Sequence, residues 1–148
     1  MPLETPKPIH IAHQELRDLL VHTTHQGGRV GETARRVLRL FEPHLEKEER
    51  YAMPVLGLLA DLVRGGPTGS MRDALPLVDE FHAQYENLLA EHRMIAAALE
   101  EMLDAAKAED KGDCADVAMQ ILNHAYLEEA VLYPAAMLAG KEIKRLRL

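Results

Sequence analysis

Two segments of this chain carry the same residue types at the same places: HLEKEERYAMP from His44 to Pro54, and HAYLEEAVLYP from His124 to Pro134. His, Glu at +4, Glu at +5 and Pro at +10 all recur at an offset of 80 residues (124 − 44). The offset extends to the surrounding pattern. Apolar residues fall at helical spacing through most of the chain, and no stretch alternates with period two over a strand length. A chain of this kind has few options: two similar helix hairpins, each burying its apolar stripe against the other. The expected fold is all-α, an antiparallel up-down-up-down four-helix bundle built from a duplicated helix hairpin.

Breakers divide the chain accordingly. Three prolines among the first eight residues predict an extended lead-in over 1–8. A first helix runs from Ile9 to about Gln26 and is stopped by Gly27-Gly28. A second runs from about Gly31 to Tyr51, with a kink expected at Pro43 and a bend or restart at Pro54. After RGGPTGS, a third runs from Met71 or Pro76 to Lys107. A fourth runs from Asp113 to Leu138, with Gly140 as its stop and KEIKRLRL as a solvated basic tail. The 148 residues thus form a single domain with its core over about 9–139.

Charge and composition narrow the partners. A net charge of −7 argues against nucleic acid or an anionic membrane surface. No run of 18 apolar residues exists to span a bilayer, and the first residues lack the pattern of a signal peptide. The single cysteine, Cys114, excludes an internal disulfide and suits a reducing, cytoplasmic location. Cys114 sits at a predicted helix start, which would lower its pKa, but no histidine adjoins it to support nucleophilic chemistry.

The chemistry resides in histidine and glutamate. Residues at i and i+4 share one face of a helix, so His44 with Glu48, and His124 with Glu128, each present a nitrogen and a carboxylate to one point. His13 precedes His44 by 31 residues and His92 precedes His124 by 32, which places one such histidine on each predicted helix. Neutral imidazole and carboxylate suit iron, manganese or zinc. Four histidines and two carboxylates could surround one metal or serve two. With two metals, bridging carboxylates and a solvent-derived bridge, one position on each stays open to a small oxidant. Glu49 and Glu129, one residue round from the ligand face, are candidates to orient the imidazoles. Tyr51 lies seven after His44, where the second copy has Val131, and is a candidate extra ligand or hydrogen-bond donor; Tyr85 has a weaker version of the same claim. His10 could touch the site mouth, whereas His22, His25 and His82 read as structural or exposed.

The set His13, His44, Glu48, His92, His124 and Glu128 resembles the hemerythrin-like, or HHE cation-binding, domain, with its pattern H…HxxxE…H…HxxxE. The likeness covers about residues 9–139 and includes the Glu-Glu-x4-Pro flanks. It implies a non-haem di-iron centre with an oxo or hydroxo bridge, the two glutamates bridging. Oxygen-carrying hemerythrins have a fifth histidine in an HxxxH pair on the third helix; here Ala96 follows His92 by four and Leu88 precedes it by four. The four-His, two-Glu set is similar to bacterial hemerythrin-like proteins, including those of nitric-oxide stress and iron-centre repair. The repair proteins usually carry an extra cysteine-bearing N-terminal domain that this sequence does not contain. The implied function is binding of dioxygen, nitric oxide or peroxide for sensing, scavenging or delivery. Turnover of peroxide or nitric oxide by an enzyme, and iron storage or donation, are the alternatives. A bundle of this size could be a monomer or a homodimer.

Overall fold

The computed structural model describes residues 3–148; of the prolines expected in an extended lead-in, Pro2 lies outside them, together with Met1. Among the described residues there are six α-helices: α1 (Lys7–Thr23), α2 (Gly28–Lys47), α3 (Leu59–Val63), α4 (Gly69–Ala108), α5 (Gly112–Leu127) and α6 (Tyr133–Arg145). Among the described residues there is no strand. Helix α1 packs on α2 and α5, and α4 packs on α2 and α5, which closes a four-helix bundle with α6 as the continuation of α5. The short α3 belongs to the connection between the hairpins.

Several boundaries differ from expectation, each for a local reason. Helix α1 starts at Lys7 because Pro8 falls in its first turn, where a missing N–H costs nothing. Helix α2 runs through Pro43 with no fresh start, as expected. It begins at Gly28, whose φ of +69° suits glycine. The Val30 N–H there donates to Glu109 Oε2 at 3.0 Å, so the end of α4 caps the start of α2. The expected stop at Gly140 does not occur. Gly140 is buried inside α6, and a Cβ there would meet Val78 Cγ1 at 2.8 Å. Glycine serves close packing against α4 at that point, and the basic tail continues as helix with Ile143 fully buried.

The two prolines at +10 have a shared structural effect. The backbone forms a π-helical turn at Glu48–Ala52 and another at Glu128–Leu132. Met53 N–H donates to Glu48 O at 2.8 Å, and Tyr133 N–H donates to Glu128 O, both five residues back. Pro54 and Pro134 come next. A proline can neither donate to the carbonyl four residues back nor pack its ring against it, so the preceding turn widens by one residue. A 3-10 turn, Pro54–Leu58, then leads into α3, whereas the second copy re-enters α-helix directly as α6.

The buried apolar residues of the bundle fall into two main clusters. One apolar cluster contains Tyr51, Met53, Phe81, Leu88 and Tyr133; a second contains Leu16, Phe41, Leu45, Ile95, Leu99 and Ile121. His13, His92 and His124 lie in sequence between members of one cluster and the other, and His44 lies between Phe41 and Leu45 at the edge of the second, ahead of Glu48 and Tyr51. The polar layer is therefore walled by apolar side chains above and below.

A candidate dinuclear metal centre

His13 sits on α1, His44 on α2, His92 on α4 and His124 on α5, so each helix of the bundle contributes one imidazole. Three of these rings are essentially buried; His124 is the most exposed, with 11 % of its side chain accessible. Glu48 and Glu128, each opening a π-turn, are buried among them.

Glu128 spans the layer. Its Oε1 lies 3.1 Å from His92 Nε2, and its Oε2 lies 3.2 Å from both His13 Nε2 and His124 Nε2. Glu48 reaches across in the other sense. Its Oε2 lies 3.2 Å from His44 Nε2 and 3.7 Å from His92 Nε2, and its Oε1 lies 3.6 Å from His13 Nε2. Two groups result, each with donor atoms within 4.8 Å of one another: His44, Glu48, His92 and Glu128, and His13, His124 and Glu128. The first ring pair has centroids 4.6 Å apart and the second 5.0 Å.

Glu48 Oε1 is buried and has no hydrogen-bond partner. His13 Nε2, at 3.6 Å, is too far to donate to it, and a buried carboxylate oxygen without a hydrogen bond is costly unless it is bound to metal. All four histidines turn Nε2 toward the two carboxylates. Four nitrogens and two carboxylates fit a pair of divalent or trivalent first-row metal ions, and the orphaned oxygen has the place and charge to meet one.

The outer nitrogens are anchored. His13 Nδ1 pairs with Glu49 Oε2 at 3.0 Å, and His92 Nδ1 with Glu129 Oε1 at 2.9 Å. Glu49 and Glu129 thus play the same part in the two copies, fixing ring orientation as carboxylates beside ligating imidazoles do. The second oxygen of Glu49 bonds His10 Nδ1 at the surface, which is how His10 reaches the site mouth. His44 Nδ1 pairs with Glu91 Oε1 at 2.8 Å, and Glu91 Oε2 with Lys47 Nζ at 2.5 Å. Glu91 was legible only as the neighbour of His92. The offset of 79 that relates His92 to His13 (92 − 13) relates Glu91 to Ala12, so nothing in the repeat marked it. Among the described residues, no carboxylate pairs with His124 Nδ1.

Tyr51 does not reach this layer. It is buried in the apolar cluster, with the Arg50 guanidinium 5.4 Å from its ring centroid. The tyrosine that does is Tyr133. Its hydroxyl donates to Glu48 Oε2 and lies 3.3 Å from His92 Nε2 and 3.5 Å from His44 Nε2. Its ring stacks on His92, with centroids 5.2 Å apart and planes inclined by 14°. Tyr85 packs edge-on against Tyr133 and acts at one remove. The asymmetry of the two copies is therefore Tyr133 against Met53, not Tyr51 against Val131.

Without a cation, the site holds protons. Burial opposes charge on His13, but the hydrogen bond to Glu128 and the charges of Glu48 and Glu128 outweigh it and raise the ring to about 9. The same balance raises His92 to about 10. His44 is raised too, burial again being overcome by Glu48. Glu128 is held well below the ordinary carboxylate range: burial works against its charge, and three imidazoles override it. Burial and the neighbouring glutamates push the Tyr133 phenol upward. Far from this layer, burial likewise pushes the Cys114 thiol up, the reverse of what its place near a helix start suggested.

Among the described residues, no helix is long and apolar enough to cross a membrane. No curated protein and no solved structure matches the chain significantly. A family model, the Hemerythrin HHE cation binding domain, matches residues 7–136. That span contains all four helices that carry the histidines and both glutamates at their convergence, and the chain belongs to the hemerythrin HHE cation-binding domain family.

Proposed function

We propose that this domain holds two iron ions and binds a small oxidant, either dioxygen, nitric oxide or peroxide, for sensing, scavenging or delivery. The observation that carries the reading is Glu48 Oε1, buried without a hydrogen bond beside His13 Nε2 in a layer where four imidazoles turn Nε2 toward two carboxylates. His44 and His92 would serve one ion, His13 and His124 the other, with Glu48 and Glu128 shared and an oxo or hydroxo bridge between the ions. Paired iron supplies redox capacity and open coordination positions. The chain supplies the rest. Glu49, Glu91 and Glu129 hold the rings with Nε2 inward, and the two apolar clusters exclude water from the layer. Manganese or zinc would accept the same donors, so the choice of iron is part of the proposal.

Elemental analysis of the native protein, with visible spectra under air and under reductant, tests it. The expected result is about two iron ions per chain, one for each donor group, with visible bands that appear with the oxidant and bleach reversibly. Glu48→Ala should lower metal content sharply. Absence of stoichiometric metal would overturn the reading. Sustained consumption of peroxide or nitric oxide would make the protein an enzyme, and ready loss of iron to chelators without any adduct would make it a store.

A further inference from the structure

We infer that Tyr133 is a seventh protein ligand, placing its phenolic oxygen on the metal position served by His44 and His92 and closing that position to exogenous ligands. The inference rests on the di-iron reading above. Its ground is the arrangement of atoms around the Tyr133 hydroxyl. Adjacent ligands on an octahedral ion with bonds of about 2.1 Å lie about 3 Å apart. The hydroxyl oxygen is 3.3 Å from His92 Nε2 and 3.5 Å from His44 Nε2, and in hydrogen-bond contact with Glu48 Oε2. It therefore stands among the donors of one position at near ligand-to-ligand spacing, not outside them. At the other position the residue matching Tyr133 at the 80-residue offset is Met53 (133 − 80), which belongs to the apolar cluster and has no hydroxyl to offer.

The backbone explains why the hydroxyl arrives there. In a regular α-helix, residue i+5 points well away from residue i. The π-turn at Glu128–Leu132 inserts one residue, so Tyr133 takes the angular place of i+4 and shares the inward face with Glu128. Stacking on His92 and edge contacts with Phe81 and Tyr85 hold the ring.

As the cation enters, the Tyr133 O–H bond breaks, a bond from that oxygen to the cation forms, and the proton leaves to solvent. The first position then has His44, His92, Glu48, Glu128 and Tyr133, and with the bridge it is full. The second keeps His13, His124 and the shared carboxylates, and it alone stays open. It is also the position of His124, the most exposed of the four rings.

The test is resonance Raman spectroscopy of the iron-loaded, oxidised full chain with visible excitation. Tyrosine ring modes should be enhanced, should shift when the protein is made with ring-deuterated tyrosine, and should vanish in Tyr133→Phe while two irons remain. Should Tyr133→Phe fail to fold, a chain with Tyr51→Phe, Tyr85→Phe and Tyr126→Phe leaves Tyr133 as the one tyrosine, and the modes should persist. Two bound irons without enhanced tyrosine modes would overturn the inference and leave the di-iron reading standing. A wild-type chain that retains no iron would overturn both.

Discussion

The metal-free protein should lose stability as pH rises from about 6.5 to 10, the opposite of what its many carboxylates alone would suggest. His13 is raised to about 9 and His92 to about 10, against an ordinary value of 6.5. Burial disfavours both charged rings, and Glu128 and Glu48 more than compensate. A group that binds its proton more tightly when folded stabilises the fold fully below its unfolded pKa, and that contribution disappears as pH rises through the folded pKa. Here the stabilisation is intact below 6.5, shrinks through the next units and is gone above about 10. Each tenfold change in proton affinity is worth about 1.4 kcal/mol. Raising His13 from 6.5 to about 9 thus corresponds to on the order of 3 kcal/mol. His92 leans on the same Glu128, so the two amounts overlap, and roughly 3–5 kcal/mol is expected for the pair. That is a large part of the ~5–15 kcal/mol that typically holds a domain folded.

Bound metal reverses the sign. A cation must displace the imidazole protons, so its affinity rises with pH, and the loaded protein gains where the metal-free protein loses. Urea denaturation of chelator-treated and iron-loaded protein at about pH 6, 8 and 10, followed by circular dichroism, measures both trends. A chelator-treated midpoint that stays flat or rises over that range would refute the reasoning. It would mean that His13 and His92 are neutral in the metal-free core and that the carboxylates carry the protons instead.

Two further outcomes follow from side chains around the site. Glu49→Ala frees both His13 Nδ1 and His10, and Glu91→Ala frees His44 Nδ1 and Lys47; each should weaken metal binding about 10–100-fold in competition with a chromophoric chelator, and unchanged affinity would show that packing alone orients the rings. Gly140→Ala brings a Cβ to 2.8 Å from Val78 Cγ1. Overpacking should cost about 1–3 kcal/mol against a helix-propensity gain of about 0.5–1 kcal/mol, for a net loss that Val78→Ala in the same chain relieves; a Gly140→Ala chain with a raised urea midpoint would show that α6 shifts freely on α4.

Much of this protein was legible without coordinates because its signals are periodic and doubled. The 3.6-residue recurrence of apolar positions required helices, and the 80-residue offset required two alike hairpins. Spacing of i and i+4 put His44 with Glu48 and His124 with Glu128 on common faces, since both pairs lie within or at the end of regular α-helix. Glu49 and Glu129 were legible for the same reason: a repeat marks them. Glu91 was not, because it has no counterpart, and its bond to His44 crosses from one helix to another over 47 residues of chain.

The tyrosine shows where such reasoning stops. Counting seven from His44 selected Tyr51, which assumes an unbroken α-helix. The proline at +10 was visible, but its consequence was not: it widens the turn that begins at each glutamate, and every residue beyond is displaced by one place around the axis. The sequence by itself determined which four histidines and two glutamates converge. Only the tertiary structure decided that Tyr133 joins them while Tyr51 does not, because angular position past a π-turn depends on hydrogen bonds to the fifth residue back, and a 3.6-residue period cannot register them.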